Sequence, residues 1–146
     1  TIPSCVASRN ATGISTASSC TITDCAVAEN TADGISVAYQ CIVRGNAASL
    51  NVNAGIRATQ SRNRIERNNC TGNLVSPTAI GIQVAGPGNL IIGNSCSTNA
   101  AGNYSIAAGN RYGPIIDLTA PGAAAASGNS APSTLTSSDA NANYAY

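Results

Sequence analysis

The side chains able to do chemistry in this chain are few. There are six acidic residues (Asp24, Glu29, Asp33, Glu66, Asp117 and Asp139), seven arginines, six cysteines and no histidine. Without histidine, neither a Ser-His-Asp nor a Cys-His relay can be assembled. Glycoside hydrolysis needs two carboxyl groups facing each other across a sugar ring. Asp24, Glu29 and Asp33 lie close in sequence but fall in different slots of the pattern described below, which reads as solvated turn residues rather than a site. A calcium-assisted lyase would need a ladder of carboxylates beside a basic side chain, and the acids form no such series. No catalytic residue, metal ligand or cofactor site is assigned. The densest charge is the run Arg57, Arg62, Arg64, Glu66, Arg67. Strand alternation sends Arg57, Arg64 and Glu66 outward, and Arg57, Arg64 and Arg67 make a candidate patch for acidic sugars or a partner. The opposing reading is a solvated rung partly neutralised by Glu66.

What would position these groups is a repeat. Gly13-Ile14, Gly34-Ile35, Gly55-Ile56 and Gly81-Ile82 recur at intervals of 21, 21 and 26 residues. Each glycine is followed by an apolar residue nine or ten positions on (Ile22, Val43, Ile65, Ile91) and, eight further, by an asparagine (Asn30, Asn51, Asn73, Asn99). A period in this range signals stacked supersecondary units. Within a unit the pattern alternates, as in Gly34-Ile35-Ser36-Val37, and polar turns such as Arg44-Gly45-Asn46 separate short extended runs. Three such runs per turn make a parallel β-helix. The expected fold is all-β, a three-sided parallel β-helix of five to six short rungs over residues 1–118, followed by an irregular Ala/Ser/Gly/Pro-rich extension over 119–146. Residues 1–12 read as the end of a preceding unit, with Ile2 and Asn10 in the matching slots. Residues 103–112 read as a degenerate fifth. The longer interval is explained by an insertion after Asn73, expected as a surface loop. Ile14, Ile35, Ile56 and Ile82 should stack inside, and Asn46, Asn68 and Asn94 should form a turn ladder of mutually bonded side chains.

The segments Asn63–Asn69, Gly88–Asn94 and Asn103–Ile115 carry a family resemblance. They resemble the C-terminal part of bacterial secreted right-handed parallel β-helix repeat proteins of the pectate-lyase-like superfamily, over roughly residues 12–118. The resemblance implies the right hand of the coil, which periodicity does not fix, and a secreted, extracellular or cell-surface location. It is specific for fold and not for activity, because that superfamily holds lyases, hydrolases, adhesins and fibre proteins.

Composition narrows the field further. Charged residues make up 9% of the chain and the net charge is +1, which argues against nucleic acid as a partner. No apolar run approaches the roughly 20 residues of a membrane-spanning helix, so membrane insertion is not expected. Phe, Trp and Met are absent, which suits a narrow interior of Ile, Val, Ala and Cys. The chain does not open with Met and shows no signal-like stretch, so it reads as a processed chain or a fragment. The uncapped ends of a short solenoid expose strand edges. The function expected is therefore structural, with copies of the chain associating head to tail into a fibre or surface layer, bridged or covered by residues 119–146. A carbohydrate-binding or adhesive module that takes polysaccharide is the alternative, and a polysaccharide lyase or hydrolase ranks behind it.

The cysteines follow the repeat. Cys20 and Cys41 precede the middle apolar residue by two, Cys5 and Cys25 follow it by three in the turn column, and Cys70 and Cys96 follow it by five. Each pair shares a column on adjacent rungs. Two readings stand: stacked thiols used as small apolar groups, or three rung-to-rung disulfides in an oxidising compartment. On the second reading, peptide mapping of the unreduced protein recovers Cys5–Cys25, Cys20–Cys41 and Cys70–Cys96, each closing a loop of about 20–26 residues and worth on the order of 3 kcal/mol. Free thiols or a crossed connectivity would decide for the first.

Overall fold

The computed structural model describes residues 1–117 and 139–146. The described residues are all-β and form a right-handed parallel β-helix of about five turns. The first sheet stacks β1 (Ile2–Pro3), β4 (Thr21–Thr23), β7 (Ile42–Arg44), β10 (Arg64–Glu66), β13 (Leu90–Ile92) and β16 (Arg111–Tyr112). The third is formed by β3 (Ile14–Ser18), β6 (Ile35–Tyr39), β9 (Ala54–Ala58), β12 (Ile80–Val84) and β15 (Gly102–Ile106). Between them in chain order lies the second: β2 (Val6–Ser8), β5 (Ala26–Ala28), β8 (Ala47–Ser49), β11 (Asn69–Thr71) and β14 (Ser95–Ser97), extended by β18 (Asn143–Ala145) and then β17 (Ile115–Asp117).

Every pairing is parallel and keeps the register of the sequence repeat. Ile14 pairs with Ile35, Ile35 with Ile56 and Ile56 with Ile82. Ile2, Ile22, Val43, Ile65 and Ile91 form the second interior column. The third runs Ala7, Val27, Ala48, Cys70, Cys96, with Ala145 next. Its smaller residues let the other two walls close over it. The core isoleucines at 22, 35, 56, 65, 82 and 91 are fully enclosed. Each buried Ile contributes roughly 1.5–3 kcal/mol relative to exposure, so the stacked columns supply the main driving force.

Sharp bends join the three sheets, and all but the one into β17 follow one rule. A residue with positive φ, between 47° and 81°, makes the bend. The residue after it is Asn or Cys and points inward. Ten of these bends use a non-glycine residue in the left-handed region, Leu50 and Thr98 among them. Such residues cost roughly 1–2 kcal/mol there, so the following side chain must offset the strain. It does so through hydrogen bonds along the stack. Asn46 donates its backbone N–H and its Nδ2 to Asn68 Oδ1, both at 3.0 Å. Asn68 repeats this with Asn94, both at 3.0 Å. The expected ladder of Asn46, Asn68 and Asn94 therefore exists with its bonds in line.

The other two edges of the prism carry ladders as well. At one, Asn30, Asn51, Asn73 and Asn99 bond in sequence, their Nδ2 to Oδ1 distances lying between 2.8 and 3.1 Å. At the other, Asn63, Asn89 and Asn110 do the same at 2.9 and 3.0 Å. This third ladder was not read from the sequence, although its residues sit two before the middle apolar position, as Cys20 and Cys41 do. The Gly-Ile signature is a consequence of the second ladder. A Cβ on Gly34 would lie 2.6 Å from the Gly55 carbonyl oxygen and 2.7 Å from Asn51 Nδ2. Where the fifth unit puts Asn103 in this glycine column, the ladder stops, with Asn99 Nδ2 donating to Asn103 Oδ1 at 2.9 Å.

One expectation is corrected at the C terminus. The sequence places residues 119–146 outside the rungs, as an irregular extension. Residues 119–138 and the boundary at 118 lie outside the described residues, but Asn143–Ala145 forms β18 within the second sheet. Ala145 occupies the core column above Cys96, and Asn143 Oδ1 accepts from the Asn94 N–H and Nδ2 at 3.0 and 3.1 Å. The segment carries one copy of the ladder motif without the surrounding repeat, so periodicity gave it no weight.

Adjacent residues at a bend should respond in opposite senses. Leu50→Gly removes left-handed strain and is expected to stabilise by about 0.5–1 kcal/mol after the entropy cost of glycine. Asn51→Ala strands the Asn30 N–H and removes one of the two acceptors of its Nδ2, and is expected to cost about 3 kcal/mol. Denaturant unfolding of the two variants measures both; equal effects would remove the ladder from the account.

Candidate functional site

The acids do not converge. Asp24 makes a bend between the first and second sheets. Glu29 sits at the next bend, its carboxylate 2.8 Å from Arg9 Nε. Asp33 is not a solvated turn residue as expected: it is buried, accepts from the Ala54 N–H at 3.2 Å and faces Arg57 at 3.7 Å. It fixes the entry to β9 and has no second carboxylate opposite. Glu66 points outward as alternation requires, yet it is only 8% exposed. Arg64 lies over it at 2.6 Å, and Ala140 and Asn141 border the same small cleft.

The three arginines of the candidate patch are separated. Arg57 stands on the outer face of the third sheet, Arg64 on the first, and Arg67 at the bend between first and second. The structure brings a different set together. Arg62, Arg64 and Arg111 border a groove of about 660 Å³ that is floored by Gly88, Asn89, Leu90 and Gly109. Arg62 makes the bend from the third sheet into the first, with φ of 64°. One and two rungs along, that bend is made by Gly88 and Gly109, whose lack of side chains opens the groove. Arg64 and Arg111 share a column with Leu90 between them, which sets them about 10 Å apart along the stack.

The sequence contained the signal for Arg111: it follows Arg64 and Leu90 at the spacing of the repeat. No carboxylate lies within 4.0 Å of Arg62 or Arg111 among the described residues, and Glu66 engages only Arg64. The groove is therefore cationic and open, with room for an extended anion.

The six cysteines occupy two environments, and all are thiols in this structure. Cys5 and Cys25 continue one Asn ladder towards the N terminus, and Cys20 and Cys41 continue another. Cys25 reproduces the asparagine pattern: its Sγ accepts from the Cys5 N–H at 3.4 Å and donates to the Ile2 carbonyl at 3.4 Å, while its own N–H donates to Asn46 Oδ1 at 2.9 Å. Cys70 and Cys96 are instead register partners within the core. Burial, followed by its neighbour Cys96, pushes the Cys70 thiol well above its ordinary range. Burial likewise raises the Tyr104 hydroxyl, which lies beside the same pair. The raised Cys70 thiol disfavours its thiolate, the nucleophilic form.

Columns of ladder-bonded asparagines, an apolar prism interior and an outer face free to carry charge define a parallel β-helix repeat protein. Residues 1–115 match the family model described as "NosD: Periplasmic copper-binding protein (NosD)", and the chain belongs to that family. Its periplasmic description agrees with the secreted or cell-surface location read from the sequence. No curated protein and no solved structure shows significant similarity to the chain.

Proposed function

We propose that this chain is an extracytoplasmic β-helical scaffold that binds a carboxylate-bearing polysaccharide along the Arg62–Arg64–Arg111 groove. The observation that supports this reading is that three arginines line one open groove, with no acid within 4.0 Å of Arg62 or Arg111 among the described residues. Guanidinium forks pair with carboxylates in a planar, two-bond geometry. Leu90 gives a patch of apolar floor between the outer arginines. The rigid rung spacing holds the charges at fixed separation, which suits a polymer with regularly placed carboxylates.

Copper, named in the family's description, does not fit the donors of this chain. The sequence has no His and no Met, and no group of three His, Cys, Asp or Glu side chains comes together among the described residues. The thiols are arranged in pairs, and four of the six are buried in ladder or core positions. A copper centre of three or more N/S ligands has no matching donor set among the described residues.

Head-to-tail association into a fibre or surface layer is a second reading. It is favoured by the strands at the two ends of the stack. Strands β1, β2 and β3 at one end, and β15, β16 and β17 at the other, each have one neighbour among the described residues. Sedimentation over a concentration series tests it, and a species that stays monomeric throughout would remove it.

The groove is tested by calorimetric titration with an oligouronate and with a neutral glucan of equal length. The acidic sugar is expected to bind and the neutral one not to, with affinity falling as salt rises. Arg111→Ser should weaken binding about fivefold, and Arg62→Ser with Arg111→Ser should abolish it, both with unfolding midpoints near that of the parent. Equal binding of both sugars, or unaltered binding by the double variant, would overturn the reading.

A further inference from the structure

The position of β18 is unusual. In chain order, β14 is followed by β15, β16 and β17, one full turn, so β17 would stack directly on β14. It does not: β18 lies between them, paired with β14 on one side and β17 on the other. A strand from the end of the chain has entered a slot bounded by strands that precede it.

The slot is built for a strand of specific chemistry. Its inner edge is Asn94, the last residue of a ladder, which needs an acceptor for both its N–H and its Nδ2. Asn143 Oδ1 supplies that acceptor at 3.0 and 3.1 Å. Asn143 Nδ2 in turn donates to the Ile91 and Gly113 carbonyls at 3.2 and 3.0 Å. The chain's own fifth rung cannot replace it. Ile115 stands at the ladder position, as the Cα partner of Asn143. Pro114 precedes it where other bends carry a left-handed residue, a conformation its ring forbids.

The slot fits its strand closely, with Asn143 fully buried. Gly113 lies against Asn141, and a Cβ there would collide with the Asn141 carbonyl. The Tyr104 hydroxyl reaches both the Asn94 and Tyr144 carbonyls at 2.9 Å and closes over the seated strand. Core access is limited to a small residue, Ala145, above the Cys96 thiol. A cleft of about 340 Å³ bordered by Tyr104, Ile115, Asp117 and Ala145 leaves the flank of the strand in contact with solvent.

We infer that this slot is a strand-accepting site, and that its second occupant is the segment 139–146 of another copy of the chain, exchanged for the chain's own β18. Nothing in the slot distinguishes a strand in cis from the same strand in trans. The contacts described above are made by residues 141–146, and the sequence between Asp117 and Asp139 is 21 residues long, enough to span several tens of ångströms when extended. Strand exchange links copies by an existing fold contact and needs no new interface. It is independent of the arginine groove. It also differs from head-to-tail stacking, which would use the outer strands and leave β18 where it is.

Two full-length variants separate donor from acceptor. Ala145→Arg cannot seat its own strand but keeps the slot. Gly113→Ala blocks the slot but keeps an intact strand. Each alone is expected to run as a monomer in sedimentation, and the mixture is expected to give a one-to-one heterodimer. A mixture that stays monomeric overturns the proposal. So does equal association of each variant alone, which is the outcome that head-to-tail stacking requires.

Should either variant fail to fold, the wild-type chain decides. A synthetic peptide of residues 139–146 is added in excess to the concentrated protein. It is expected to convert dimers to peptide-bound monomers, whereas the peptide carrying Asn143→Ala should need at least about tenfold more. Dimers insensitive to the peptide, a wild-type chain with no dimers at any concentration, or equal potency of the two peptides would each overturn it.

Discussion

The structure rests on one arrangement: a buried asparagine whose Oδ1 accepts two hydrogen bonds from the asparagine of the preceding rung and whose Nδ2 donates along the stack. Tight bends leave backbone N–H groups pointing inward, where water does not reach. An orphan donor there would cost roughly 1–3 kcal/mol. Asparagine is short enough to fit the corner and carries both donor and acceptor, so a single residue type satisfies the bend and hands the requirement to the next rung. The left-handed residue before the asparagine at each of these bends follows from this, because that backbone turns the next side chain inward. The glycine column follows too, since the ladder amide occupies the space a Cβ would need.

Such a ladder has no natural end, so its ends are where the sequence departs from the rule. Towards the N terminus, two of the three columns change from asparagine to cysteine. A thiol is smaller and weaker in hydrogen bonding, yet Cys25 keeps both an accepted and a donated bond in the asparagine pattern. At the other end the chain uses two devices. Asn103 steps into the glycine column and takes the final Nδ2 bond of one ladder. For another, the chain leaves its fifth rung incomplete and returns with Asn143. In each case the backbone rearranges before a ladder amide goes without a partner, which ranks hydrogen-bond satisfaction above regular stacking at this site.

How much of this was legible in the sequence depends on whether a feature is repeated. Gly34-Ile35, Ile65 and Asn73 recur at fixed spacing, so the interior columns and the ladder of Asn46, Asn68 and Asn94 could be read directly. Asn63, Asn89 and Asn110 were equally periodic but sit beside polar, strand-like residues, and alternation claimed them first. The groove was harder. Arg57 and Arg64 are near in sequence and lie on different sheets, whereas Arg64 and Arg111 are 47 residues apart and share a column. In a solenoid, distance along the chain predicts little and position within the repeat predicts much. Asn143 is in register with Asn94 only through a pairing the repeat does not contain, and burial of Glu66 depends on Arg64 and on residues from that same returning segment.

The division of labour within each rung explains why the fold says so much and the site so little. Inward positions are fixed by the columns: Ile, Val, Ala or Cys in strands, Asn or Cys at corners. Outward positions have no such constraint. Thr21, Ile42, Arg64, Leu90 and Arg111 form one outer column with no shared chemistry, while the interior column beside it, Ile22, Val43, Ile65 and Ile91, hardly varies. Binding specificity can therefore be written on the outer face one residue per rung without altering stability. A groove arises wherever a bend switches from a long side chain to glycine, as it does from Arg62 to Gly88 and Gly109. The spacing of charges in that groove is then set by the backbone repeat, so the ladder that holds the fold also fixes the geometry offered to a ligand.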